Sequence, residues 1–407
     1  MPDSRFSQVV AVVVAVLLGA ATYLALTEGM QALGRSDSPP TAGPGNVPEF
    51  LYEPPNTVPT TADYGPVGPV AVVFADAEVL TGIGGKLENP WVAVSSQTGD
   101  YRALVVPHSP EPARDAVAVA PDGRMLAWGY ADGVVLYDPV EDRAVERDGV
   151  VDGVPVVGPF SPDGSRLVAY DGSVHVLDSD SGDVLATVQG VSEAAARQAV
   201  WTPDGSALTY VDGGRLVIQD WQSGRRTDTA TTIGADATLA WQPAGRQLAA
   251  MKEVRGVRTV DVFDVAADGR LTLSGTVEQD GYAQQELLGF TGDARVTVTA
   301  LTLETATIPL VFNMSTEDAF PPTRVMQLPG SGGVADTLQV AAEPLAEGSV
   351  AFDEPNWPAS DLAKLVASII VTVFALGLYL TRRPRYKARA LVRARARAEA
   401  RGARIAR

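Results

Sequence analysis

No cysteine occurs in the 407 residues, which removes a disulfide scaffold, a thiolate nucleophile and a thiolate zinc site together. Histidine is almost as scarce. His108 and His175 are the only two, so a three-histidine metal centre is excluded and a serine hydrolase has few choices of base. His175 alternates with Val174 and Val176 as strand residues do, which favours a packing role, and His108 sits in the connecting stretch "VPHSPEP". Neither "GYAQQ" nor "GVSEAA" has the form of a nucleophile elbow. "GIGGKLENP", from Gly82, lacks the Ser or Thr and the spacing of a phosphate-binding loop and reads as a glycine-rich turn. These residues identify no catalytic, cofactor-binding or metal-binding group. The 46% hydrophobic content is still ample for one large core or two ordinary ones.

Charge is unevenly placed. From Arg382 to Arg407 there are eleven Lys or Arg and one acid, Glu399; this tail carries +10 and the remainder −27 of the total −17. Two uncharged apolar runs divide the chain. The first, between Arg5 and Glu28, has 22 residues, and about 20 suffice to cross a bilayer as a helix. A cleaved signal peptide is the competing reading, because Ala20, Ala21 and Ala25 supply small residues, although its apolar core is normally about 7–15 residues. The second run, Leu365 to Thr381, has 17 residues, and Lys364 can snorkel to lengthen it. Basic residues beside a membrane helix stay in the cytoplasm. The expected topology therefore puts both termini inside and the acidic segment between the spans outside the cytoplasm. That acidity gives no reason to expect nucleic acid as a partner, whereas the basic tail suits an anionic lipid surface.

Between the spans, nine prolines lie from Pro39 to Pro69, which favours an extended spacer. "EFLY" at Glu49 fits either a docked segment or a solvated one. Then a pattern repeats. "VAPDG" at Val119, "FSPDG" at Phe160, "WTPDG" at Trp201 and "WQPAG" at Trp241 follow one another at intervals of 41, 41 and 40 residues, with looser copies "FADAE" at Phe74 and "FTGDA" at Phe290. Each is followed by a short strand pattern and by a second one ending in Asp138, Asp178, Asp220 or Asp264, with Ser95 and Asn313 as weaker endings.

Repeats of about 40–45 residues with four strands each predict a β-propeller. The aromatic before each turn is expected to pack on the next blade. "FSPDGSRLVAY" and "WTPDGSALTY" resemble the WD40-like repeats of TolB-type propellers, and "VHVLDSDSGDVLATV" resembles the strand, Asp and turn of WD40 repeats. That resemblance spans about residues 66–328 and implies a cell-envelope role. "DSDSGD" at Asp178 occupies the slot of "DPVEDR" and "DWQSGR", so it is expected to be a hairpin turn and not a calcium loop, which would need a further bidentate acid.

The predicted organisation is an all-β propeller of six or seven four-stranded blades flanked by two transmembrane helices. A cytoplasmic N-terminus covers 1–7, a membrane helix 8–27, a Pro-rich linker 28–65, the propeller 66–352, a short linker 353–361, a second membrane helix 362–381 and the basic tail 382–407. Two functions remain open: a membrane-anchored module binding a protein or envelope component, or a glycan or lactone enzyme using channel-facing acids. The glycines of "GSGGVAD" at Gly330 read as a linker, after which "TLQVAAEPLAEG" can complete a blade and close the ring.

Overall fold

The computed structural model describes residues 16–22, most of 45–357, and 366–375. Residues 1–15, 23–44, 358–365 and 376–407, with short stretches inside the propeller, lie outside the described set. The chain divides into two compact units, one running from Arg35 to Trp357 without residues 82–84, the other holding both chain ends.

The first unit is a six-bladed propeller of four-stranded antiparallel sheets. Blade two comprises Ala118–Val119, Leu126–Tyr130, Gly133–Asp138 and Arg143–Arg147. Blade three comprises Val156–Phe160, Arg166–Tyr170, Val174–Asp178 and Val184–Val188. Blades four to six begin at Val200, Thr238 and Tyr282 and follow the same order. The middle strands are covered on both faces by neighbouring blades, so they read as near-continuous apolar runs: every residue of Val70–Ala75 is buried. The outermost strands alternate or turn polar, as in Arg143–Arg147.

Six buried clusters hold the ring, one between each pair of adjacent blades. The aromatic before each turn contributes to them, but against the preceding blade and not the next. Trp201 of blade four donates its indole N–H to the Pro159 carbonyl of blade three at 3.0 Å, and Trp241 of blade five donates to Thr209 Oγ1 of blade four at 3.1 Å. The reason is position: the aromatic ends the first strand, and the side chains there face back toward the blade just completed.

The repeated turn has one geometry. Gly123, Gly164, Gly205 and Gly245 have φ of +70°, +70°, +66° and +72°, a region that favours glycine. In each, the glycine N–H donates to the carbonyl three residues earlier, at 2.8–2.9 Å. Phe290 ends a first strand as its pattern requires. Phe74 does not. It lies inside the second strand of blade one, Val70–Ala75, because the first strand of that blade is supplied by Gln339–Val340, pairing antiparallel with Val72 and Val73. The ring thus closes through "TLQVAA", and the blade count is six.

The described half of the Pro-rich stretch is docked. Gln327 N donates to Glu49 O and Leu51 N donates to Gln327 O, both at 2.8 Å, which fixes the segment to the outer strand of blade six. Ala103 N donates to Pro59 O at 2.8 Å on the outer strand of blade one. Leu51 and Val58 are buried, so "EFLY" is docked through Leu51, with Tyr52 packed against the same cluster and Phe50 left exposed. Proline is tolerated here because an added edge strand needs few N–H donors. Val47–Pro48 also pairs parallel with Ser349–Val350, and Trp357 sits edge-on to Tyr101 with ring centroids 5.2 Å apart.

In the second unit, residues 16–22 and 366–375 are helical. Among the described residues no helix is long and apolar enough to cross a membrane. These helical stretches are parts of the two predicted spans, whose remaining residues, like the predicted basic tail, lie outside the described set.

Candidate functional site

The first strands of the six blades surround one cavity of about 260 Å³, the central channel. Its wall is largely aliphatic, with Val119, Val157, Ala199, Leu239, Leu287 and Val340 contributing from blades two, three, four, five, six and one in turn. Polar side chains enter at few points: Arg197, Gln198, Thr238 and Gln339. Arg197 and Gln198 come from a short helix, Glu193–Arg197, and the residue after it, inserted before blade four and capped by Ser192, whose Oγ accepts from Ala195 N. Arg197 pairs with Glu193 at 2.8 Å. The Gln198 amide oxygen is buried with no hydrogen-bond partner in the structure.

Among the described residues, no carboxylate lines this channel. Acids gather instead at the turns. Asp178 Oδ1 accepts from Asp180 N at 3.1 Å and Ser181 N at 2.8 Å, while Gly182 N donates back to Asp178 O at 2.8 Å. Asp220 does the same with Gln222 and Ser223, and Asp138 with Val140 and Glu141. Ser95 Oγ takes the carboxylate's place in blade one, accepting from Gln97 and Thr98 N–H groups at 3.3 Å. "DSDSGD" is one copy of this hairpin between third and fourth strands. The Ser181 N–H is the main cause holding the Asp178 carboxyl below the usual carboxylate range. Asp163, in the other repeated turn, is also held low: burial opposes this, but Ser161 and Ser165 donate to it and prevail. A carboxylate held this way is already committed to the backbone.

Both histidines lie on blade surfaces. His175 Nε2 is 3.1 Å from Asp171 Oδ1 and its Nδ1 is 3.2 Å from Thr187 Oγ1. This is a hydroxyl, an imidazole and a carboxylate in line. Thr187 is, however, the direct cross-strand partner of His175, and Asp171 also accepts from Ser173 N in the adjoining turn. The chain of bonds ties the third and fourth strands of one blade to the turn before the third, in keeping with a packing role. His108, at φ +47°, stacks on Tyr130 with centroids 4.2 Å apart and planes 5° from parallel, and its Nε2 is 3.3 Å from Glu146. Tyr130 donates to Asp148, and that bond, more than burial, pushes its phenol up to about 12. Within "GIGGKLENP", Gly85–Glu88 forms a strand that pairs antiparallel with Glu78–Thr81, while residues 82–84, where the glycine-rich turn is expected, lie outside the described set.

The channel residues carry little signal in sequence. Val119, Val157 and Leu239 are ordinary strand residues, and Arg197 lies in "SEAAARQ", whose helix-forming composition is the local signal it carries.

No family model matches the chain, and no curated protein matches it. Many solved structures do. A hydrazine synthase of Kuenenia stuttgartiensis is similar with a TM-score of 0.41 and 18% identity over 55% of this chain and 69% of that one. The β-propeller domain of Cps50 (Swd1) from Myceliophteria thermophila gives a TM-score of 0.38 and 15% identity over 64% of this chain and 89% of that one. A TolB-designated protein from Agrobacterium tumefaciens gives a TM-score of 0.36 and 15% identity over 60% of this chain and 85% of that one. None of the three transfers an activity to this chain.

Proposed function

We propose that this protein is a membrane-anchored propeller, held outside the cytoplasm by helices at 8–27 and 362–381, that binds a protein or cell-envelope component. The observation that carries the binding reading is the channel wall. It offers aliphatic strands, an unpartnered Gln198 oxygen and one cation, Arg197, but no carboxylate among the described residues. Acid–base cleavage of a glycan needs a pair of carboxyl groups facing the substrate, so the enzyme alternative gains no support there. The anchoring reading is supported by bulky exposed side chains on both described helical stretches, among them Leu17, Ile370, Val373 and Phe374, since water penalises such a surface and lipid does not. Both termini are cytoplasmic, and the basic tail lies along the anionic inner leaflet.

Reporter fusions at Arg407 and within residues 330–350 test the topology; an external Arg407 sinks it. Photo-crosslinkers placed at Arg197 and, for comparison, on the outer strand at Leu185 test the site in native membranes. Capture of one partner from Arg197 and not from Leu185 is expected. Equal capture from both positions, or turnover of a glycan or lactone by the purified chain, goes against the reading.

A further inference from the structure

The described parts of the two apolar runs do not bury the side chains that water would make them bury. On residues 366–375, Ser368 is buried and Thr372 and Ala375 are half-buried, whereas Val366, Ile369, Ile370, Val373 and Phe374 are exposed. Positions 368, 372 and 375 recur at helical spacing and form one face, so that face carries only small side chains. On residues 16–22 the one buried position is Gly19, between exposed Leu18 and Ala20. The two faces meet. A Cβ on Gly19 would collide with Thr372 Oγ1 and lie 3.3 Å from the Ser368 carbonyl oxygen. Only the absent side chain lets the two backbones come this close. The hydroxyls nearby are already satisfied within their own helices: Thr372 Oγ1 donates to Ser368 O and Thr22 Oγ1 to Leu18 O, each at 2.8 Å.

Small residues inside and large ones outside is the reverse of packing driven by water. It is the pattern expected in lipid, where acyl chains are as apolar as leucine and helices associate through close contact of small residues. A second observation, within the propeller, agrees. Val47 pairs with Ser349 and Pro48 with Val350, so the two chain segments that lead to the apolar runs start side by side.

We infer that the two apolar segments form one helix pair inside the bilayer, with Gly19 seated on the Ser368–Thr372 face and the bulky side chains turned to lipid. The inference rests on the membrane-anchored reading and adds to it that the first segment is a retained partner of the second. It is not a cleaved leader, because its removal would leave the small-residue face without an occupant.

The chain has no cysteine of its own, which makes thiol cross-linking clean. In the Gly19→Cys, Thr372→Cys variant of the full chain, the two Cβ positions are 3.4 Å apart, close to the roughly 3.8 Å of a disulfide. Native membranes holding this variant are mildly oxidised, linked peptides are identified by mass spectrometry, and the same preparation is extracted with alkaline carbonate. The comparison pair is Leu17→Cys, Ile370→Cys, both exposed. An intramolecular link about tenfold more abundant than in that comparison pair is expected from the geometric demands of the bond, in protein that resists extraction. Membrane-retained protein with no link, or with equal linkage in both pairs, overturns the pairing and leaves the anchored reading standing. Release by carbonate overturns both. A link found only between two copies assigns the face to a second chain and overturns the inference. Should the double variant fold poorly, the intact mass of the unaltered chain isolated from membranes decides retention: loss of the first segment overturns the inference, and its presence supports it.

Discussion

The four repeated turns provide a matched experiment within one molecule. Gly123 and Gly164 have the same φ, +70°, and the same hydrogen bond to the carbonyl three residues back. Their surroundings differ. A Cβ at Gly164 meets nothing within 4 Å, whereas one at Gly123 would collide with the Val70 carbonyl oxygen and lie 2.7 Å from the Val70 nitrogen. Val70 N also donates to Gly123 O at 2.8 Å, joining blade two to blade one. Gly164→Ala therefore carries only the cost of a side chain in the left-handed region, about 1–2 kcal/mol. Gly123→Ala carries that cost plus about 1–3 kcal/mol for overpacking against rigid backbone. It also loses much of one inter-blade hydrogen bond, about 1 kcal/mol. The expected losses are thus about 1–2 kcal/mol at 164 and about 3–6 kcal/mol at 123. Denaturant titration of the full chain in detergent, followed by tryptophan fluorescence, measures both. If the two variants lose the same stability, the close approach of Gly123 to Val70 is not a feature of the folded protein and the blade-one contact described above is wrong.

Other expectations follow from the same structure. Asp178→Ala removes the acceptor for two backbone N–H groups and should cost about 1 kcal/mol, as a lost cap does; calcium should leave the melting temperature of the unaltered chain unchanged. A rise of several degrees with calcium that disappears in Asp180→Ala would show that the loop holds a metal. Asp163, Asp178, Asp204 and Asp220 are all held below the ordinary carboxylate range. Their contribution to stability is complete above the unfolded pKa and fades as pH falls through the lower folded values. Melting temperature should accordingly fall with acidification only below the usual carboxylate range, and Asp178→Asn, Asp220→Asn together should flatten that fall; an unaltered acid limb refutes the assignment. A peptide of residues 382–407 should prefer anionic over neutral vesicles at low salt, since each basic residue near the surface gains about 1 kcal/mol, and the preference should shrink at high salt. Equal binding to both would leave the tail as a topology signal only.

What could be read from the chain was set by how local each feature is. The turn at Phe160 to Gly164 and the hairpin at Asp178 to Asp183 are closed by hydrogen bonds between residues at most five apart. Their residue types are therefore dictated on the spot, and the pattern repeats visibly. Even the substitute Ser95 was legible, because its hydroxyl accepts the same N–H groups that the aspartates do. Blade one was misread at Phe74 for the opposite reason. Its first strand lies far along the chain, at Gln339–Val340, so no contiguous stretch contains the whole unit. "FADAE" matched the spacing by chance of an aromatic beside an Asp.

The same logic separates the channel from the rest of the core. A position such as Trp201 is specified twice, by its cluster between blades and by its indole hydrogen bond to Pro159, so its aromatic character is physically required. A channel position such as Val119 or Leu239 needs only to continue a strand and tolerate a narrow opening, and many aliphatic residues would do that equally well. Information about the ligand can therefore reside only where the wall departs from this tolerance. Among the described residues those departures are Arg197, Gln198, Thr238 and Gln339, and Arg197 and Gln198 come from a short helix, and the residue after it, in the connection before blade four. The helix is short, and its Ser192 cap and Glu193–Arg197 pair stabilise it without reference to any ligand. Its last turn buries Ala195 and Ala196 in the cluster between blades three and four, yet it leaves a buried Gln198 oxygen without a donor in the structure, which costs about 1–3 kcal/mol. On the proposed binding reading, the bound partner supplies the missing donor. Gln198→Leu, which removes the unsatisfied group, should then raise stability by about 1 kcal/mol or more while weakening capture from Arg197. Unchanged stability together with unchanged capture would remove the reason to place the partner in the channel.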